Sequence, residues 1–265
     1  MKIPNFKSEE GSIMYKNTVG ELISPRVANV LLKRVQAELS PLTKKAVLDL
    51  GCGPGNVCLP LAKGFPNLQI IAVDSSESMI HLAQSEAIRQ HVPNLQFERM
   101  DAGHIALPLN SFDFVLCNLA FPFFGKPVDS MREVFAVVRP GGSVFFTVPG
   151  TNTWREFFDI AKTALGDMVS MARPFLAKFS QSEGLLEAMS AAGFHDIVPQ
   201  RTLLPFHFAN GQAVLEFFGQ LFHLLEYATA DMKTELADAI DDMNPDGFTM
   251  HYEAMLLSGQ KPDEP

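Results

Sequence analysis

The stretch Ala46-Val47-Leu48-Asp49-Leu50-Gly51-Cys52-Gly53-Pro54-Gly55-Asn56 decides the fold, because an apolar run stops abruptly at three closely spaced glycines. Val47, Leu48 and Leu50 suit a central parallel strand buried on both faces. Gly51, Gly53 and Gly55 permit positive φ and let a ligand approach bare backbone. Val57, Leu59, Leu61 and Ala62 follow at helical spacing. The turn is therefore expected to present free N–H groups to a carboxylate or phosphate at a helix N-terminus. Its spacing is G-x-G-x-G, preceded by Asp49, and differs from the G-x-G-x-x-G that accommodates a dinucleotide pyrophosphate. A purely structural turn would carry the same glycines, so the residues downstream must discriminate.

Gly64-Phe65-Pro66-Asn67 stops the helix, and Leu68 to Val73 forms a second apolar strand ending at Asp74. An acid at the end of a second strand, a little over the roughly 20 residues expected after such a turn, is placed to accept from ribose hydroxyls. Ser75-Ser76-Glu77-Ser78 then caps a helix. A third strand, Asn94 to Met100, is followed by Asp101-Ala102-Gly103-His104. A fourth, Phe112 to Asn118, leads into Leu119-Ala120-Phe121 and the apolar cluster Phe121 to Gly125. Pro127 to Val138 reads as a helix, and Arg139-Pro140-Gly141-Gly142 as a tight turn into a fifth strand, Ser143 to Pro149.

The string V-L-D-L-G-C-G-P-G resembles the first motif of the class I S-adenosylmethionine-dependent methyltransferases, and is close to that of small-molecule enzymes of the ubiquinone/menaquinone methyltransferase type. The R-P-G-G turn, with Glu133 in the helix before it, resembles them too. The resemblance is strong over about Val47 to Val148 and holds only in element order on the flanks. It implies an α/β fold: a Rossmann-like doubly wound seven-stranded sheet with an antiparallel last strand, plus helical lid insertions. It implies S-adenosyl-L-methionine as cofactor, held by Asp49, Gly51, Gly53 and Gly55, with Asp74 on the ribose, Ser75 and Met79 beside the adenosine, and Asp101 and Ala102 at the adenine edge. Asn118 and Leu119 would face the transferable methyl group, and Tyr15 in the N-terminal segment would lie over the cofactor.

Two departures bear on the acceptor. Enzymes methylating adenine or glutamine carry N-P-P-Y or a close relative after the fourth strand, where this chain has Asn118-Leu119-Ala120-Phe121. The Asp or Asn usual at the start of the next helix is replaced by Lys126-Pro127.

The flanks read as covering elements of one methyltransferase domain over residues 1–265. Residues 1–40 form an N-terminal helical cap, with one amphipathic helix from Gly20 to Leu39, and residues 41–150 are the cofactor-binding half. Residues 151–180 and 206–245 are apolar helical insertions, expected as a mobile lid around a large apolar pocket, though amphipathic helices also pack their aromatics on each other. Residues 181–205 and 246–260 complete the sheet, with strands His195 to Leu204 and Gly247 to Ser258, and Gln260 to Pro265 is a frayed tail.

A formal net charge of -9 disfavours nucleic acid, whose recognition draws on clustered Lys and Arg. The expected partner is a small, apolar or amphipathic acceptor. No span of a membrane, no signal peptide and no metal pattern is read, and Cys52, Cys58 and Cys117 look like buried thiols of a reducing compartment. A cytoplasmic monomer or homodimer follows. A methyl sulfonium is already activated, so no strong catalytic constellation is required. If a proton must leave the acceptor, His104 is the candidate base in the loop after strand three, with His207, His223, His251, Tyr15, Tyr227 and Tyr252 as other possibilities. A catalytically silent cofactor-binding module is the alternative. A nicotinamide-dependent oxidoreductase is a weaker one, since its glycine spacing and hydride-site residues are missing.

Overall fold

A computed structural model describes residues 8–40, 42–166, 178–221, 225 and 228–263. The Ala46–Leu50 strand (β1) pairs in parallel with Gln69–Asp74 (β2) on one side and Phe112–Asn118 (β4) on the other. Leu95–Arg99 (β3) adds to β2, and Val138–Pro149 (β5) to β4. With His195–Phe208 (β6) and Phe248–Gln260 (β7) the order is β3-β2-β1-β4-β5-β7-β6, a seven-stranded mixed sheet whose last strands run antiparallel. The chain reverses its direction of sheet growth between β1 and β4, the place where open α/β sheets leave a crevice at their carboxyl ends.

Alternation along the strands sends side chains to two cores. Val47, Ile70, Phe114 and Phe145 pack with Leu31, Leu61 and Ile80 on one face, while Leu48, Val73, Val115 and Phe146 pack with Met131, Val134 and Leu185 on the other. The helices supplying these partners are Ser24–Gln36 (α2), Cys58–Gly64 (α3), Glu77–Arg89 (α4), Pro127–Val137 (α5) and Ser182–Ala192 (α7, following Arg155–Leu165, α6). Every β4 residue is buried, as a central parallel strand requires. Buried Asp113 is not an exception to satisfaction: it accepts from Ala46 N at 2.7 Å and pairs with Arg139.

The N-terminal segment is more broken than its periodicity suggests. Glu9–Tyr15 (α1) starts on a Ser8 cap with Glu9 and Glu10 in its first turn, passes into a π-helical turn over Lys16–Gly20, and α2 begins only at Ser24-Pro25. Proline fits a first helical turn because its missing N–H is not needed there. The expected single helix from Gly20 is thus corrected. Arg139-Pro140-Gly141-Gly142 lies within β5, with Gly141 at φ 71°. Gly141 N donates to Lys261 O at 3.0 Å and Lys261 N to Gly142 O at 2.9 Å. Lys261 Nζ also donates to Asn110 Oδ1 and to the carbonyls of Phe135 and Val138, so this part of the expected frayed tail is anchored.

Contacts divide the chain into two compact units, taken over their described residues. One comprises Asn5–Val148, Gln181–Arg201 and Met255–Pro265, and the other Pro149–Ser180 and Thr202–Ala254. In the second, the helical insertion expected from residue 206 starts a little later: β6 runs on to Phe208, then come Gly211–Gln220 (α8) and Ala230–Met243 (α9). Its aromatics are spent on each other. Trp154 makes edge contacts with Phe206 at 4.9 Å and with Phe217 and Tyr252 at 5.4 Å, and Phe157 stacks on Phe218 at 4.1 Å.

Candidate functional site

At the carboxyl end of β1 the chain turns through Gly51, Gly53 and Gly55 at φ 72°, 53° and 97°, all left-handed. Four of the turn's N–H groups are taken up within the protein, against the expectation of free donors. Gly51 N and Cys52 N donate to Val73 O at 2.8 and 2.9 Å, Gly55 N to Cys52 O at 3.0 Å, and Gly53 N to Asp74 Oδ2 at 2.9 Å. What the glycines provide is therefore close packing and close approach. A Cβ at Gly51 would lie 2.3 Å from that of Ala120, whereas one at Gly53 would meet no protein atom within 4 Å.

Asp74, half-buried at the end of β2, is the carboxylate of this crevice. Oδ2 holds Gly53 N, and Oδ1 accepts from Ser76 N at 2.8 Å. It thus joins the glycine turn to the start of α4, which Ser76 caps through Met79 N at 3.4 Å. Ser76 Oγ also pairs with buried Ser12 Oγ at 3.0 Å, docking α1 on α4. Ser75 is half-buried and Met79 buried beside them.

Asp49 is buried under the turn, with Oδ2 accepting from Cys58 N at 3.0 Å and Oδ1 left without a normal hydrogen-bond donor; the weak Cys58 thiol is its neighbour. Burial pushes this carboxyl up to about 7, against the Cys58 interactions that lower it. A carboxyl whose pKa is higher folded than unfolded keeps its proton longer in the native state, so its contribution to stability falls as pH rises from about 4 through about 7. Asp49→Asn should abolish that loss. Denaturant melts should show the variant gaining about 2 kcal/mol on the parent between pH 5 and pH 8. An unchanged difference would mean the carboxyl ionises normally.

Tyr15 is half-buried where α1 meets the π-helical turn, and its side chain hydrogen-bonds Ser24. Burial, with a smaller push from the Asp74 charge, raises its phenol to about 12, so near neutral pH it is a donor and not a base. Asn118, at the end of β4, has both ends of its amide engaged: Nδ2 donates to Ser24 and Oδ1 accepts from Thr147 Oγ1 at 2.7 Å. Leu119 follows in a left-handed conformation, φ 60°.

The loop after β3 is more open. Asp101 and His104 are exposed, and Asp101 Oδ1 caps its own turn by accepting from Gly103 N at 2.9 Å. Ala102 is half-buried, and the loop is tethered where Ile105 N donates to Glu133 Oε2 at 2.9 Å. Of the other base candidates, His207 pairs with Thr249 Oγ1, His251 with Glu156 Oε1, and Tyr252 packs on Trp154. His223 and Tyr227 lie outside the described residues. Phe121 turns into the core against Phe146, so the expected apolar wall is in part core packing. Ser24, Asn56 and Thr147 carry no site assignment from the sequence, and Ser76 is legible there only as part of a helix cap. Only Ser76, the hydroxyl immediately before the acidic helix start at Glu77, and Ser24-Pro25 carry a local signal.

Among the described residues no group of three or more His, Cys, Asp or Glu could hold a metal ion, and no helix is long and apolar enough to cross a membrane. Residues 47–142 match a protein family described as a methyltransferase domain. A malonyl-[acyl-carrier protein] O-methyltransferase of Bacillus cereus is 32% identical over 134 residues, 51% of this chain and 48% of that protein. A ubiquinone biosynthesis O-methyltransferase of Coxiella burnetii is 28% identical over 184 residues, covering 66% of this chain and 75% of the other. The chain thus spans about half the length of the first of the curated relatives it matches. Among solved structures, a Haemonchus contortus phosphoethanolamine N-methyltransferase 2 in complex with phosphomonomethylethanolamine and S-adenosylhomocysteine superposes with TM-score 0.62 at 18% identity, covering 97% of this chain and 58% of that one. At that identity the likeness is one of fold.

Proposed function

From the methyltransferase domain that this chain carries at residues 47–142, of the class I S-adenosylmethionine-dependent kind, we propose that the protein moves a methyl group from S-adenosylmethionine onto a small-molecule acceptor. The observation that carries this reading is the open side of Gly53 held next to the Asp74 carboxylate at the β1/β4 switch point. A nucleoside with a short charged tail fits such a place. Asp74 would accept from the ribose hydroxyls, Ser75 and Met79 would flank the adenosine, and Asp101 with Ala102 would meet the adenine edge. Gly51, Gly53, Gly55 and Asp49 would hold the methionine end, with Tyr15 donating from above and Asn118-Leu119 facing the methyl side.

When bound, the cofactor supplies a methyl already activated by its sulfonium. The chain's own work is then to orient, to exclude water and to receive a proton where the acceptor loses one. Tyr15 is unsuited to that last task, since its phenol stays protonated, and exposed His104 is the residue proposed for it. The negative net charge and the missing N-P-P-Y support a small molecule over nucleic acid or protein. The names of the relatives support oxygen as the methylated atom.

The test is methyl-labelled S-adenosylmethionine incubated with full-length protein and a panel of acceptors: a malonyl thioester, a tricarboxylic acid, hydroxylated quinone precursors, tRNA and a protein mixture. Label is expected in a small-molecule fraction, with S-adenosylhomocysteine as co-product. Label in tRNA or protein would overturn the acceptor class. Thermal stabilisation by NAD, and none by S-adenosylhomocysteine, would overturn the cofactor.

A further inference from the structure

Ser24 lies at the centre of a largely buried set of polar groups from four separate segments, of which Asn56 is half-buried. Asn56, after the glycine turn, donates through Nδ2 to Ser24 Oγ at 3.0 Å and to Gly20 O at 2.9 Å. Asn118, at the end of β4, donates through Nδ2 to Ser24 Oγ at 3.0 Å and Ser24 O at 3.3 Å. Thr147 in β5 donates to Asn118 Oδ1 at 2.7 Å, and its Oγ1 accepts from Leu119 N at 3.3 Å. Ser24, Thr147 and Asn118 are 3%, 0% and 8% exposed, so the groups have few alternatives in water.

The direction of every bond in this set follows from its ends. Gly20 O and Ser24 O can only accept, so both amide nitrogens must face them, which fixes the orientation of Asn56 and Asn118. The two amide N–H groups then fill both lone pairs of Ser24 Oγ. Its one proton is left for the remaining partner, the Tyr15 side chain. Protons therefore point one way, from the Leu119 N–H through Thr147, Asn118 and Ser24 to the Tyr15 oxygen. The Tyr15 proton must in turn be given to an acceptor other than Ser24. Hydrogen bonds lined up in one sense polarise one another, so each link strengthens the next donor.

We propose that Ser24 is a positioning residue for the transfer reaction: it fixes the end of β4 against the glycine turn and orients Tyr15 as a one-way hydrogen-bond donor toward the cofactor. This inference rests on the proposed cofactor reading, in which Tyr15 touches the ligand and Ser24 does not.

A double-mutant cycle tests it, using calorimetry with S-adenosylhomocysteine on full-length protein. Ser24→Ala and Tyr15→Phe should each weaken binding about tenfold, and the double variant by little more than either alone, because the two act along one path. Thr147→Val removes the hydroxyl three links from Tyr15 while keeping the shape of the side chain. It should weaken binding a few-fold in the parent and not at all in the Tyr15→Phe background. That second cycle carries the test if Ser24→Ala does not fold. A merely structural role would lower melting temperature and multiply through to about a hundredfold in the double variant, which would overturn the proposal. Parent-like affinity in Ser24→Ala or Thr147→Val would overturn it as well. If the parent itself binds no S-adenosylhomocysteine, the cofactor reading fails first, and this inference goes with it.

Discussion

Asp74→Ala is expected to weaken S-adenosylhomocysteine binding by about a hundredfold or more, and to lower stability at the same time. The carboxylate does two jobs with the same oxygens. In the protein alone it accepts from Gly53 N and Ser76 N, tying the turn after β1 to the cap of α4. Charge-assisted bonds of this kind contribute about 1.5–3 kcal/mol each, and deleting the acceptor leaves two backbone donors to find water in a half-buried place. With ligand present, the proposed ribose contacts would be lost too. Asp74→Asn separates the jobs, since the amide oxygen can keep one backbone donor while the charge and one acceptor disappear. It should recover much of the stability and little of the affinity. Calorimetry and thermal melts on both variants decide the matter: a folded Asp74→Ala protein with parent affinity would remove Asp74 from the binding site.

What was legible in the sequence tracks how local each physical cause is. β1, β2 and β4 announce themselves because a strand buried on both faces must be an apolar run, and each ends where a glycine, an acid or an asparagine interrupts it. Asp74 was legible for that reason. The N-terminal segment is less legible. Ser8-Glu9-Glu10 is a cap with acids in the first turn, and Ser24-Pro25 a second helix start, yet the apolar spacing from Leu22 to Val35 ran across the break and hid it. The extension of β6 to Phe208 escaped because most of that strand is exposed or half-buried, so its residues carry little hydrophobic alternation. Least legible was the Ser24 set, whose Asn118 bond joins residues 94 apart; no window of sequence contains both partners. The same holds for the turn's N–H groups. The sequence shows that glycines free them, and only the register of β2 beside β1 shows that Val73 and Asp74 take them up.

Two glycines of the turn, Gly51 and Gly53, look alike in sequence but should fail differently when given a side chain. Gly51 at φ 72° faces Ala120, whose Cβ would be 2.3 Å from the new one, so Gly51→Ala must push the end of β4 away as well as bear the left-handed strain. Gly53 at φ 53° faces nothing within 4 Å. Gly53→Ala therefore costs only the left-handed conformation, about 1–2 kcal/mol, and should fold. Its methyl group would nonetheless stand in the space where a ligand approaches bare backbone, and affinity for S-adenosylhomocysteine should fall about a hundredfold, some 2.7 kcal/mol. The expected pattern is thus a crossed one, with Gly51→Ala losing more melting temperature and Gly53→Ala losing binding at nearly intact stability. Thermal melts paired with calorimetry on the two variants read both axes at once. Parent affinity in Gly53→Ala would show that the open side of the turn is solvent and not ligand space, and the cofactor would have to be placed elsewhere along the carboxyl edge of the sheet.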